Sequence, residues 1–187
     1  MQPRQLIDFM NILEKLKCNT RHVWTPCGRQ ESVAEHCWRL TVMALLVADV
    51  FPFADIDKVI KMCLIHDFGE ALTGDIPSFL KTKEDEEKED LAVASMLERL
   101  PENIASDFRE VFSEITEMKT VEAKLFKALD KLEAVLSHNE SPLDTWLPNE
   151  YSDNLTYGEE NVTFSEYLTS LRDEILKDSL KKIDGGC

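Results

Sequence analysis

Three short stretches carry side chains whose types and spacing packing alone does not explain. His36 stands in the first turn of a nearly all-apolar stretch. His66 ends a second apolar stretch and is followed at once by Asp67. Asp130 lies inside a third, Val121–Leu136, where Phe126 and Ala134 share its helical face four residues to either side. An unpaired buried carboxylate is expensive, so Asp130 needs a cation partner: a helix terminus, an Arg or Lys, or a metal. Imidazole and carboxylate together suit a divalent ion of the Mn, Fe, Co, Ni or Zn type. Taken singly, each residue also fits a satisfied core or capping role. Jointly they form a sharper pattern: a His, a His-Asp pair 30 residues on, and an Asp 63 residues beyond that.

The elements that must position these groups read as helices. Leu6, Phe9, Met10, Leu13 and Leu16 repeat at helical spacing over residues 4–17. Cys18–Glu31 holds Pro26 and Gly28 and reads as a loop. Ser32-Val-Ala-Glu35 is a capping box that opens a central, buried helix running to about Asp49. Asp55 or Asp57 caps a third helix that ends near His66. Thr73–Pro77 is turn chemistry, and the acidic run 84–90 suits a solvated helix start. Further helices run to Leu100, from Pro101, and over Val121–His138. Residues 140–162 read as a long irregular segment, and Thr163-Phe-Ser-Glu166 reads as a second capping box opening a last helix over 163–183. No repeat and no convincing alternating strand is visible. The expectation is an all-α single domain, 1–187, built as a compact bundle of six to eight helices.

Composition narrows the function. The 187 residues carry 21 basic and 36 acidic side chains, a net charge of −15, which argues against a nucleic-acid or anionic-membrane binder. Residues 1–40 are the exception, with six basic and four acidic side chains, so a small anionic ligand is expected to favour that part. Five cysteines, Cys18, Cys27, Cys37, Cys63 and Cys187, contain no C-x-x-C and read as reduced cytoplasmic thiols. Charged residues break up the N-terminal stretch, so no signal peptide is read there, and the longest apolar run, Val42–Ala48, falls far short of a membrane span.

The order His36 … His66-Asp67 … Asp130 resembles the HD-domain superfamily of metal-dependent phosphohydrolases. Glu31-Ser-Val-Ala-Glu-His36, His66-Asp-Phe-Gly-Glu70, Leu72-Thr-Gly-Asp-Ile-Pro77 and Lys127-Ala-Leu-Asp130-Lys-Leu resemble the branch containing bacterial 5′-deoxynucleotidases. The resemblance covers residues 5–138. It implies that His36, His66, Asp67 and Asp130 ligate one divalent metal between three or four helices. It implies Glu70 as the base that orients or deprotonates the attacking water, with Asp75 beside it to hold a sugar hydroxyl or protonate the leaving group. Arg21 and Trp24 fall in the loop that contacts the nucleotide in that branch; a guanidinium fork suits phosphate, and an indole offers a flat wall for sugar or base. Arg39 is a weaker phosphate candidate, read first as a surface arginine, and His22 and His138 are read as lying outside the ligand set. The implied reaction is hydrolysis of 2′-deoxynucleoside 5′-monophosphates to nucleoside and phosphate, by a cytoplasmic homodimer. Two alternatives stand: an HD phosphohydrolase acting on a triphosphate, a cyclic nucleotide or a non-nucleotide ester, and a non-catalytic nucleotide sensor.

Overall fold

The computed structural model describes residues 1–185; Gly186 and Cys187, and with them the fifth cysteine, lie outside the described residues. The order is α1 (Pro3–Leu13), continued by a 3-10 turn to Lys17, then a hairpin of β1 (Thr20–Trp24) and β2 (Gln30–Ser32). Helices α2 (Val33–Leu46), α3 (Ile56–Ile65), α4 (Glu70–Thr73), α5 (Lys83–Leu97), α6 (Glu102–Glu117) and α7 (Val121–Glu140) follow. The chain closes with α8 (Glu150–Thr156), α9 (Glu159–Val162) and α10 (Glu166–Gly185). Eight of these ten helices have seven residues or more. The architecture is mostly helical, as the periodicity requires.

Helices α2, α3 and α7 pack on one another and form the centre. Val33, Leu40, Val59, Met62, Leu125, Leu129 and Leu132 are fully buried there. The start of α2 is set by its capping box: Ser32 Oγ accepts from the Glu35 N–H, and the Glu35 carboxylate accepts from the Ser32 N–H. Such a cap contributes about 1 kcal/mol; more to the point, it fixes His36 in the first turn. Asp55 caps α3 by accepting from the Lys58 N–H, which leaves His66 at the far end of that helix. Gly69 lets α5 approach the bend between His66 and Glu70. A Cβ at that position would stand 2.6 Å from Glu89 Cγ and 3.0 Å from Glu89 O.

Three local readings are corrected. Cys18–Glu31 is not a plain loop: its Thr-Arg-His-Val-Trp run has strand-forming residues, and Gly28, at φ +82°, makes the turn between paired strands. Residues 140–162 hold α8, which begins directly after Pro148 and Asn149, and α9, which begins after Gly158 at φ +75°. The last helix starts at Glu166, and its capping hydroxyl is Ser165, which accepts from the Leu168 N–H at 3.4 Å, rather than Thr163.

Candidate active site

Four side chains from three helical elements converge. His36 Nε2 lies 3.3 Å from Asp130 Oδ1 and 4.0 Å from Asp67 Oδ2. His66 Nε2 lies 3.1 Å from Asp67 Oδ1 and 3.9 Å from Asp130 Oδ1. Donors bound at about 2.0–2.2 Å to one six-coordinate ion stand roughly 3 Å apart when adjacent and roughly 4 Å when opposite, so this spacing fits a single cation. The remaining imidazole nitrogens are tied off. His36 Nδ1 hydrogen-bonds to the Glu133 carboxylate, and His66 Nδ1 to the Cys63 carbonyl at 3.1 Å. Outer partners of this kind orient metal-binding histidines.

The electrostatics point the same way. Burial opposes charge on His66, yet Asp67 beside it raises the imidazole well above its usual range. Burial likewise disfavours the Asp130 carboxylate, but Lys127 and the two imidazoles hold it well below the ordinary value. Carboxylates crowd the imidazoles closely enough to draw protons onto them. Two neutral imidazoles and two carboxylates around a divalent ion balance without those protons. The donor set therefore fits the group that the sequence pattern implies.

Glu70 stands beside this set, buried at the start of α4. Burial first, then Asp67, Asp75 and Glu89, push its carboxyl up to about 10. Glu70 Oε2 has no hydrogen-bond partner among the described residues. Asp75 follows Gly74, whose φ of +80° and ψ of 163° suit glycine. Asp75 is raised by burial, with Arg21 opposing.

Arg21 is held from behind. Its Nη1 donates to Glu31 at 3.0 Å and to Glu133 at 3.3 Å. Glu133 is 0% exposed and also accepts from Ser137 Oγ at 2.9 Å. These bonds occupy one guanidinium nitrogen and hold the fork in place.

His36, His66, Asp67, Asp130, Glu70, Asp75 and Arg21 line one cavity of about 700 Å³, within the ~300–1,000 Å³ range of small-molecule sites. Trp24 does not join them: three residues along β1 it stands about 10 Å beyond Arg21, paired with Gln30 across the hairpin. The cavity's apolar wall comes instead from Ile76, Pro77 and Phe79. Arg39 also stays out, gripping Glu140 at 2.6 and 3.0 Å. The basic N-terminal stretch supplies only Arg21; Lys81, Lys127 and Lys131 reach the cavity from later in the chain.

Sequence reasoning missed Glu31 and Glu133. Glu133 was findable, since it follows Asp130 by three residues on an otherwise apolar helical face. It also missed a second cluster. His22 Nε2 lies 2.7 Å from Glu150 Oε1, and His138 Nε2 lies 3.5 Å from the same oxygen, all three residues lining the cavity. Their donor atoms converge within 4.8 Å. His22 Nδ1, however, is buried with no partner, unlike Nδ1 of His36 and His66.

Comparison with known proteins gives the family. The HD-domain family profile matches residues 13–172. Human 5′-deoxynucleotidase HDDC2 is 30% identical over 141 residues, covering 73% of this chain and 68% of that protein. The Xenopus laevis 5′-deoxynucleotidase HDDC2 is 33% identical, covering 71% and 67%. Among solved structures, a predicted metal-dependent phosphohydrolase from Magnetospirillum magnetotacticum superposes with a TM-score of 0.80 at 26% identity, over 96% of this chain and 93% of that one. A conserved hypothetical protein from Pyrococcus furiosus gives a TM-score of 0.69 at 28% identity, over 91% and 99%. Converging His and Asp donors, the helical frame that carries them and these matches together place the chain in the HD-domain family.

Proposed function

We propose that the chain is a metal-dependent 5′-deoxynucleotidase, hydrolysing 2′-deoxynucleoside 5′-monophosphates to nucleoside and phosphate. The observation that carries this is the convergence of His36, His66, Asp67 and Asp130 on one cavity, with a buried, partnerless carboxyl oxygen of Glu70 beside them. The curated relatives named as 5′-deoxynucleotidases support the substrate class.

His36, His66, Asp67 and Asp130 hold one divalent cation in this reading. Bound there, it polarises a phosphoryl oxygen, acidifies nearby water and brings positive charge close to Glu70. Glu70 orients the attacking water and takes its proton. Arg21 meets the charge that grows on the phosphoryl oxygens; Glu31 and Glu133 hold it in place beforehand, so it need not reorganise. Asp75, raised by burial, stands as the proton donor to the leaving 5′ oxygen. Ile76, Pro77 and Phe79 offer apolar surface to the sugar.

The same reading takes residues 1–187 as one HD unit acting as a cytoplasmic homodimer. Cys18, Cys27, Cys37 and Cys63 are unpaired, which fits a reducing compartment. Trp38 and Leu45, seven residues apart on α2, are 66% and 54% exposed, an apolar stripe that a second copy would cover. No helix among the described residues is long and apolar enough to cross a membrane.

The test is turnover by the metal-loaded protein against paired deoxy- and ribonucleoside 5′-monophosphates, with triphosphates and cyclic nucleotides alongside. Phosphate release from deoxynucleoside monophosphates at the highest kcat/KM is expected. Faster turnover of triphosphates or cyclic nucleotides would assign a different HD phosphohydrolase.

A further inference from the structure

Four buried side-chain polar atoms have no hydrogen-bond partner among the described residues: His22 Nδ1, Glu70 Oε2, Asn154 Nδ2 and Arg172 Nε. Buried polar groups are normally paired, so each exception calls for a cause. Three of the four belong to residues that line the single cavity described above. Glu70 marks its reactive end. Asn154 and His22 mark a second region, carried by α8 and the β1 hairpin, which the proposed chemistry leaves unused.

That region is built rather than incidental. Glu150 and Asn154 stand four residues apart on α8 and share a helical face. Glu150 is buried, and its Oε2 accepts from the Leu147 N–H at 2.6 Å. Its Oε1 takes the His22 Nε2 contact at 2.7 Å. That contact leaves Nδ1 as the ring's one unpartnered nitrogen. Asn154 is nine-tenths buried and contributes an amide N–H₂. The wall thus holds two cavity-lining residues with an unpartnered polar atom each, and Glu150 braces the His22 ring. A second cation is the competing occupant, because His22, His138 and Glu150 offer metal-binding atoms. The free Nδ1 of His22 speaks against it, since metal-binding imidazoles have that nitrogen anchored, as His36 and His66 do here.

We infer that Asn154 and His22 form the subsite for the nucleobase, supplying hydrogen bonds to its polar edge while the phosphate sits between Arg21 and the cation site of His36, His66, Asp67 and Asp130. This rests on the nucleotidase reading and names the part of the substrate that reading leaves unassigned. Every base carries both donors and acceptors on its Watson–Crick edge, so the wall recognises a base as a class. A site built to hydrogen-bond its substrate discriminates against an analogue lacking those groups, because its own polar atoms are then left unpaired.

The experiment compares a deoxynucleoside 5′-monophosphate with 2-deoxyribose 5-phosphate, which keeps the sugar and phosphate but has no base. The metal-loaded wild type, Asn154→Leu and Asn154→Asp are measured, the second variant keeping size and polarity while losing the amide donors. In the wild type, kcat/KM should favour the nucleotide. In both variants that preference should fall by about tenfold or more, mainly through KM for the nucleotide. A preference that stays within twofold, or variants that lose both substrates equally, would overturn the inference and make Asn154 a packing residue. A second metal equivalent per chain that disappears in His138→Asn would also overturn it, by giving the wall to a cation. Wild-type protein inert on every nucleoside monophosphate would instead refute the nucleotidase reading, and this inference with it.

Discussion

Glu133 should control cation affinity without touching the cation. It is fully buried, and its Oε2 meets both His36 Nδ1 and Arg21 Nη1, while Oε1 accepts from Ser137. Glu133→Gln keeps the shape. The Ser137 hydroxyl can turn to accept from the new amide, so the glutamine oxygen still faces His36, and only the charge is lost. Glu133→Ala loses charge and orientation together. Removing an outer partner of a metal-binding histidine costs about 10–100-fold in metal affinity, or roughly 1.4–2.7 kcal/mol. The glutamine variant should lie near the lower figure and the alanine variant near the upper. Arg21 keeps its 3.0 Å bond to Glu31 in both, which limits collapse of the network. The assay is competition for Co²⁺ or Mn²⁺ against a chromophoric chelator at pH 7, with a thermal melt of the metal-free proteins to show that they fold. Alanine-variant affinity within twofold of wild type would refute the argument that Glu133 orients His36 for a cation.

Other expectations follow from the same geometry. Trp24→Ala should leave the deoxy-to-ribo preference within about twofold, because Trp24 does not line the cavity; a narrowed gap in paired kinetic assays would return Trp24 to the sugar wall. Asp67→Ala should lose the metal, whereas Glu70→Gln should keep metal and nucleotide while kcat falls by about 10²–10⁴; metal analysis finding Glu70→Gln empty would make Glu70 a ligand. His138 is depressed to about 4, first by burial, against about 6.5 when unfolded. Between those values the unfolded chain binds a proton that the folded chain refuses, so stability falls as pH drops through that window, by up to about 2 kcal/mol at pH 5. Melting temperatures of wild type and His138→Asn from pH 7 to 5 should diverge, with the flatter profile in the variant, and parallel profiles would count against it.

Much of the architecture was legible because it is written in local signals. The Ser32–Glu35 box, the Asp55 cap and the apolar period of Val121–His138 each specify a helix within a few residues. The same signals put His36, His66 and Asp130 at helix positions that could meet. The hairpin was not legible, since Thr20–Trp24 is short and its partner, Gln30–Ser32, has no apolar alternation. The α8 wall escaped for a different reason. Glu150 and Asn154 are ordinary polar residues in a Pro- and Asn-rich segment, and only the fold brings Glu150 to His22, more than 100 residues away in the chain. Likewise the cavity's cations beyond Arg21 come from the acidic part of the sequence, where a running charge count hides them.

The central claim is that His36, His66, Asp67 and Asp130 hold a cation that the hydrolysis of a deoxynucleotide requires. Its most direct measurement is phosphate release from a 2′-deoxynucleoside 5′-monophosphate by protein stripped with a chelator and then reloaded with Mn²⁺ or Co²⁺, in parallel with Asp67→Ala. Activity should vanish on stripping, return with about one metal equivalent per chain, and fail to return in Asp67→Ala. Stripped protein that still releases phosphate at the wild-type rate, or Asp67→Ala recovering fully on reloading, would contradict the account.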